Sequence, residues 1–116
     1  MPNPNFVYNP PMSPFLTLLY RDDDIIVAEK PSGLLSVPGK ALEHKDALIT
    51  RINLVYPTAT VVHRLDMATS GIMVLALNKP SHRAISKQFE LYILISFKMY
   101  VLFSTLFSKV SDILIT

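Results

Sequence analysis

The segment Thr58–Leu77, TATVVHRLDMATSGIMVLAL, contains two apolar runs separated by a short polar loop. Its β-branched start predicts a strand over Thr58–Leu65, and Gly71–Leu77 is so apolar that a strand covered on both faces is expected. The loop between them carries the charged residues Arg64 and Asp66. Functional groups tend to lie on such loops, because the strands behind them are rigid. The segment therefore predicts both a sheet and a candidate site.

Arg64 and Asp66 are separated by one residue and could share a face. A guanidinium beside a carboxylate favours the ionised form, and Arg64 could also bind a phosphate through two hydrogen bonds. The same residues equally fit a surface ion pair beside an ordinary turn, and His63 by itself fits a packing role. Three scattered glycines make no phosphate-binding loop, and no acids or histidines have metal-ligand spacing. The residues alone predict a small α+β domain with a candidate carboxylate site.

Two further strands are predicted upstream, over Phe15–Tyr20 and Ile25–Glu29, joined by a turn at Arg21–Asp24. A helix from an N-cap at Asp46 to about Tyr56 is expected next. Its apolar stripe would consist of Leu48, Ile52 and Val55. A second helix would begin near Pro80, which gives the order β-β-loop-α-β-β-α.

The composition limits the classes of protein that this chain can belong to. A length of 116 residues allows one domain with a modest core. The absence of Cys excludes disulfides, a thiolate nucleophile and Cys-ligated metals. A formal charge of +2 permits a polyanionic partner without requiring one. The Pro-rich arm Met1–Pro14 is expected to be extended or disordered and lacks the apolar run of a secretory signal, so the cytoplasm is the expected compartment.

The composition changes after Glu90. Residues 91–116 include 17 apolar residues among 26, and their only charges are Lys98, Lys109 and Asp112. Lys98 interrupts the run of roughly 20 apolar residues that a membrane-spanning helix needs, so no membrane anchor is expected. The predicted parts are an arm over residues 1–14, a domain over 15–90 and an apolar tail over 91–116.

Two motifs carry a resemblance to a known family. His63-Arg64-Leu65-Asp66 followed by Thr69-Ser70-Gly71 is similar to the catalytic motif of the RluA-type RNA pseudouridine synthases. Asp23–Pro38, DDIIVAEKPSGLLSVP, resembles that family's early Lys-Pro-x-Gly motif. The resemblance covers residues 6–90 and is strongest to members that modify both ribosomal RNA and tRNA. Supporting likenesses lie in Glu43–Asp46, Lys79-Pro80 and Ser86–Phe89.

The resemblance implies a mixed, mostly antiparallel sheet with flanking helices, and the isomerisation of uridine to pseudouridine in ribosomal RNA and/or tRNA. It implies no cofactor and no metal. Asp66 would be the catalytic aspartate, acting at the ribose as a nucleophile or as a base. Arg64 would pair with Asp66 and contact the RNA backbone or fill the space left by the extruded base. His63, Thr69 and Gly71 would shape the loop or contact RNA. The basic residues that are candidate phosphate contacts, and that fit solvated surface charges equally well, are Lys30, Lys40, Lys45, Arg51, Lys79 and Arg83.

From residue 91 the sequence departs from the family pattern. The second half of the family's domain supplies a tyrosine that packs against the target base, and neither Tyr92 nor Tyr100 lies in that motif. The departure predicts a truncated or frameshifted copy, an enzyme by ancestry whose own activity is an open question. Two alternatives remain: a non-catalytic RNA-binding fragment, and a misfolded or membrane-associated remnant.

Overall fold

The structure, a computed structural model, describes residues 5–92 and the single residues 98, 99, 101 and 104. It divides into two compact units, Met1–Ile85 and Ser86–Thr116. The first unit contains a four-stranded sheet, and the described residues of the second are helical. Most of the predicted tail, and the first four residues of the predicted arm, lie outside the described residues.

The sheet is antiparallel throughout, with the strand order β1-β2-β4-β3. Its strands are β1 (Thr17–Arg21), β2 (Ile25–Lys30), β3 (Thr60–Val61) and β4 (Gly71–Ala76). This confirms the predicted mixture of helices with a mostly antiparallel sheet. The predicted strand over Thr58–Leu65 is wrong in its length, because only two of its residues pair with β4.

The turn between β1 and β2 is held by Asp22. The Asp22 carboxylate accepts hydrogen bonds from the backbone N–H groups of Asp24 and Ile25, both at 2.8 Å. These bonds, together with that of the Tyr20 hydroxyl at 2.9 Å, lower the pKa of Asp22. An aspartate side chain that satisfies backbone donors further along the chain favours a tight turn. The predicted turn at Arg21–Asp24 is therefore confirmed.

One face of the sheet forms the core. Ile26 and Ala28 on β2 pair with Leu75 and Met73 on β4, and all four side chains are buried. Each fully buried Ile, Leu or Met stabilises the fold by about 1.5–3 kcal/mol. The expectation that β4 is covered on both faces is wrong in part, because Ile72 points to the opposite face and is 59% exposed.

Helix α1 (Leu48–Asn53) covers the core with Leu48 and Ile52. It is shorter than predicted, and Val55 lies beyond its end and is 60% exposed. The predicted N-cap is also wrong, because Ala47 occupies that position and makes no side-chain cap. The Asp46 carboxylate instead binds Arg51 within the same helix region.

The second predicted helix begins at residue 79, and its first residues belong to the first unit. The Asn78 side-chain oxygen accepts a hydrogen bond from the Ser81 N–H at 2.9 Å. This is the usual way in which an asparagine caps a helix N-terminus. Pro80 lies in the first turn, where its missing N–H has no partner to lose, so the predicted start is confirmed.

The N-terminal arm, described from residue 5, contains no helix or strand before β1. It is nevertheless bound to the domain. The Tyr8 hydroxyl donates to the carbonyl of Asp46 at 2.8 Å and accepts from the N–H of Leu35 at 2.9 Å. Burial raises the pKa of Tyr8, as expected of a phenol held neutral. The described part of the arm is therefore bound to the domain at Tyr8, and its extended conformation stays a prediction.

Candidate active site

Asp66 lies on the loop that links β3 to β4. The backbone carbonyl of Asp66 accepts a hydrogen bond from the N–H of Thr69 at 3.0 Å, which closes a tight turn. The side chain of Asp66 is exposed. We call Leu65–Thr69 the aspartate turn. A carboxylate on a closed turn at the rim of a sheet is accessible to a large substrate, and the turn restricts its position.

The residue before Asp66 is fixed by a serine from the loop after β2. The hydroxyl of Ser36 donates to the carbonyl oxygen of Leu65 at 2.6 Å and accepts from the N–H of Leu65 at 3.0 Å. The side chain of Leu65 packs against the core. Both the backbone and the side chain of Leu65 are therefore held in place.

The residues after Asp66 are fixed by the segment that follows β2. The carbonyl oxygen of Met67 accepts hydrogen bonds from the N–H of Gly33 at 2.8 Å and from the ammonium group of Lys30 at 3.1 Å. The hydroxyl of Ser32 donates to the carbonyl of Ala68 at 2.7 Å. Gly33 has φ of +93°, a conformation that side-chain-bearing residues rarely adopt. The Lys-Pro-Ser-Gly segment therefore acts as a clamp on the aspartate turn.

Lys30 is a buried cation at the centre of this clamp. Its side chain is fully inaccessible to solvent, and its three N–H donors reach the carbonyls of Pro31, Leu34 and Met67. Burial lowers the pKa of Lys30, and the negative charge of Asp66 opposes that effect. The prediction that Lys30 contacts phosphate is wrong, because all of its donors point into the protein.

Gly71 opens β4 directly beneath the aspartate turn. A Cβ atom at this position would lie 3.1 Å from the Cδ1 atom of Leu65, closer than ordinary van der Waals contact. The absence of a side chain at Gly71 thus leaves room for Leu65. This is a packing role next to the site, and contact of Gly71 with RNA stays a prediction.

His63 joins the start of the loop to β4. Its Nε2 atom accepts a hydrogen bond from the N–H of Val74 at 3.0 Å, so this nitrogen carries no proton. Burial lowers the pKa of His63, which favours the neutral ring that this contact requires. His63 therefore connects the start of the loop to β4, and its role in the site stays a prediction.

Arg64 and Thr69 are both exposed, on either side of Asp66. The expected ion pair is wrong for this structure, because Arg64 and Asp66 do not approach within 4.0 Å. Both side chains are solvated, and two solvated charges gain little from pairing. Thr69 contributes its backbone N–H to the aspartate turn.

The other predicted phosphate contacts divide into one buried residue and four exposed ones. Arg51 is only 1% exposed and forms a two-pronged ion pair with Asp46, with N–O distances of 2.7 and 2.8 Å. Its remaining donors reach the carbonyl of Phe15 and the sulfur of Met12, so the prediction that Arg51 contacts phosphate is wrong. The exposed cations are Lys40, Lys45, Lys79 and Arg83.

Sequence reasoning missed the roles of Lys30, Ser32 and Ser36. For Lys30 a signal existed. Alternate residues of a strand point to the same face, so Lys30 is expected on the same face of β2 as the buried Ile26 and Ala28. For the two serines no local pattern marks the contact, since their partners lie 29 and 36 positions further along the chain.

Within the described residues, no cluster of three or more His, Cys, Asp or Glu side chains could hold a metal ion. None of the described helices has both the length and the apolar composition needed to cross a membrane.

Comparison with known proteins assigns the chain to a family. The family model for RNA pseudouridylate synthases matches residues 24–105, which include the clamp and the aspartate turn. The chain therefore belongs to the RNA pseudouridylate synthase family. Its match extends past residue 91, so the boundary of the predicted apolar tail stays a prediction.

Among individual proteins, the chain is 60% identical over 83 residues to the dual-specificity RNA pseudouridine synthase RluA of Escherichia coli K12. The corresponding identities are 57% for RluA of Salmonella typhi and 52% for that of Haemophilus ducreyi. Each match covers 72% of this chain, and the chain spans 38% of the length of the Escherichia coli protein.

Two solved human structures share the fold. Human RNA pseudouridylate synthase domain containing 4 matches with a TM-score of 0.52 and 25% identity, over 65% of this chain and 30% of its own. Human RNA pseudouridylate synthase domain containing 1 matches with a TM-score of 0.50 and 26% identity, over 76% of this chain and 30% of its own.

Proposed function

We propose that this chain carries the catalytic aspartate of an RNA pseudouridine synthase, and that Asp66 is that residue. The observation that supports the proposal most strongly is the contrast at the aspartate turn. The backbone on both sides of Asp66 is held by buried or clamped partners, whereas its carboxylate is exposed. Rigid supports around an accessible reactive group are what a catalytic site needs.

The proposed reaction moves the uracil base on its ribose. The N1–C1′ bond breaks, the base turns, and a new bond joins C5 to C1′. C5 loses its proton to solvent and N1 gains one, so the atoms balance without net hydrolysis or redox change. Asp66 would act at the ribose as a nucleophile or as a base and would be regenerated.

The proposed substrate is a uridine in a ribosomal RNA or tRNA stem-loop. A base inside a helix must leave its stack before a protein carboxylate can reach the sugar, which costs a few kcal/mol. Loop nucleotides are already partly unstacked, and an exposed carboxylate at a sheet rim suits such a substrate. The names of the relatives, which denote dual-specificity RNA enzymes, support this proposal. We place its action in the cytoplasm, the compartment in which those RNAs would be modified.

In the proposed division of labour, residues 15–90 form part of the catalytic domain and Arg64 is the cation beside the reacting nucleotide. Arg64 is exposed and unpaired with Asp66, which leaves its donors available for a phosphate or a base. That the chain is a truncated or frameshifted copy stays a prediction.

The test is tritium release from RNA labelled at C5 of uridine, using the full chain. Asp66→Asn keeps the size of the side chain and removes its charge, so release should fall on the order of 10⁴-fold. Asp23→Asn, at an exposed position on the turn between β1 and β2, is the matched control and should leave the rate unchanged. Salt-sensitive RNA binding without tritium release would favour a non-catalytic RNA-binding fragment instead.

A further inference from the structure

Ser36 stands apart from the other polar residues near Asp66, because its side chain is nearly buried and bonds a single residue among those that the structure describes. It is 4% exposed and lies in the loop after β2. Its hydroxyl donates to the carbonyl of Leu65 at 2.6 Å and accepts from the N–H of the same residue at 3.0 Å. A hydroxyl is one of the few neutral groups that can both donate and accept in this way.

Leu65 needs such a partner because the sheet ends before it. β3 stops at Val61, and residues 62–66 have left the ladder. Backbone groups that are taken out of water without a partner cost about as much as a lost hydrogen bond. The single hydroxyl of Ser36 supplies what a neighbouring strand would supply through a backbone N–H and a carbonyl.

We propose that Ser36 is the positioning residue for Asp66. With the backbone of Leu65 bound to Ser36 and its side chain packed on the core, the direction in which Asp66 leaves the turn is set. Ser36 does not touch the substrate, and it acts through Leu65. Its catalytic consequence rests on the proposed function of Asp66.

Ser32 provides a natural comparison. It also binds the aspartate turn, through a hydrogen bond of 2.7 Å from its hydroxyl to the carbonyl of Ala68, but it is exposed. Water can replace an exposed hydroxyl, whereas the hydroxyl of Ser36 is nearly buried, so water has less access to the groups of Leu65 that it binds. The two serines therefore compare a nearly buried support of the aspartate turn with an exposed one.

The kinetic test measures kcat and KM for tritium release with the full chain. A displacement of about 1 Å at a catalytic group can lower the rate on the order of 10²-fold, so Ser36→Ala should lower kcat by about 10- to 100-fold with KM unchanged. Ser32→Ala should lower kcat less than Ser36→Ala does, because water can replace its exposed hydroxyl, and Asp23→Asn should leave both constants unchanged. Ser36→Thr, which keeps the hydroxyl, should recover most of the lost kcat. Equal kcat for the wild type and a folded Ser36→Ala variant overturns the proposal.

A second measurement needs neither a variant nor activity. In the wild-type chain, the Leu65 N–H should exchange with solvent more slowly than an unprotected peptide, although it lies outside the helices and strands. Exchange at the unprotected rate overturns the assignment of Ser36. Equal tritium release by the wild type and Asp66→Asn, by contrast, overturns the proposed function and leaves the Leu65 measurement to decide on Ser36.

Discussion

The ammonium group of Lys30 lies 3.1 Å from the carbonyl oxygen of Met67, the residue directly after Asp66. The two residues are 37 positions apart, so this contact connects the end of β2 to the aspartate turn across the fold. Lys30 also binds the carbonyls of Pro31 and Leu34, within its own segment. It therefore stabilises the clamp as a whole, whereas the hydroxyl of Ser36 binds Leu65 alone among the described residues.

Replacement of Lys30 by Met should lower the stability of the fold. The substitution keeps most of the side-chain volume but removes three hydrogen bonds from a charged donor. The carbonyls of Pro31 and Met67 keep the N–H groups of Leu34 and Gly33, whereas the carbonyl of Leu34 loses its donor, and a buried unsatisfied group costs about 1–3 kcal/mol before the structure relaxes. We expect a loss of about 2–4 kcal/mol in the free energy of unfolding, measured by urea denaturation. Lys40→Met, at an exposed site, is the control and should have no effect. Equal midpoints for both variants would show that the buried ammonium group contributes nothing.

The contact between His63 and Val74 should make the fold sensitive to mild acid. Burial lowers the pKa of His63 in the folded chain, whereas the unfolded value is 6.5. The unfolded chain therefore binds the proton more readily, so this stability is fully present above pH 6.5 and is lost as the pH falls through the folded pKa. Protonation of Nε2 also removes the acceptor for the Val74 N–H.

Denaturation at a series of pH values tests this account. The unfolding free energy of the wild type should decline below pH 6.5, and His63→Gln, whose amide oxygen can still accept a hydrogen bond, should show a shallower decline. The control is His82→Gln. The Nε2 atom of His82 lies 3.0 Å from the carbonyl of Val61 and must donate, so protonation does not break that contact. A wild-type profile matching that of His63→Gln would contradict the role given to His63.

The ion pair between Arg51 and Asp46 should be a strong contributor to stability. Arg51 is 1% exposed, so Asp46→Asn would leave a buried guanidinium without its counter-charge. Removal of one partner of a buried pair costs about 3–5 kcal/mol, and because the Asp46 side chain is 32% exposed we expect the lower part of that range. The test compares the melting temperature of Asp46→Asn with that of Asp23→Asn, which serves as the control because Asp23 is exposed. A melting temperature unchanged in both would exclude this pair as a support of α1.

Arg64 should bind RNA phosphate or base without contributing to the fold. Arg64→Gln should weaken RNA binding and reduce the slope of log K against log salt by about 1. The matched control is Arg21→Gln, because Arg21 lies at the opposite end of the sheet from the aspartate turn. Arg21 pairs with Ile26 at one end of β2, and Gly71, which is beside the aspartate turn, pairs with Lys30 at the other end. Ile26 and Lys30 are four residues apart on β2, which corresponds to about 14 Å along the strand. Equal slopes for Arg64→Gln and the wild type would exclude the proposed contact.

The strands and the loop that carries Asp66 could be predicted from the sequence because their signals are local. An apolar run such as Ile25–Glu29 or Gly71–Leu77 identifies a strand whichever partner it finds. The ends of the strands could not be predicted as well as their presence. The β-branched run over Thr58–Leu65 has strand propensity, but only Thr60–Val61 pairs with β4. Propensity predicts where a strand can form, and pairing decides where it does.

The fate of the charged residues could not be predicted in the same way. Lys30 and Arg51 look like surface cations in the sequence, yet both are buried because partners from other segments satisfy their donors. Arg64 and Asp66 look like an ion pair in the sequence, yet both side chains are exposed and do not pair with each other, because two solvated charges gain little from pairing. Ser36 has no local signal, since its importance comes entirely from its contact with Leu65.

The central claim is that the exposed carboxylate of Asp66 converts uridine to pseudouridine in RNA. Its most direct test is chromatography of nucleosides from RNA that was incubated with the full chain and then digested. The account predicts a pseudouridine peak with the wild type and with Asp23→Asn, and none with Asp66→Asn. A pseudouridine peak of the same size with Asp66→Asn, or none with any of the three proteins, would contradict it.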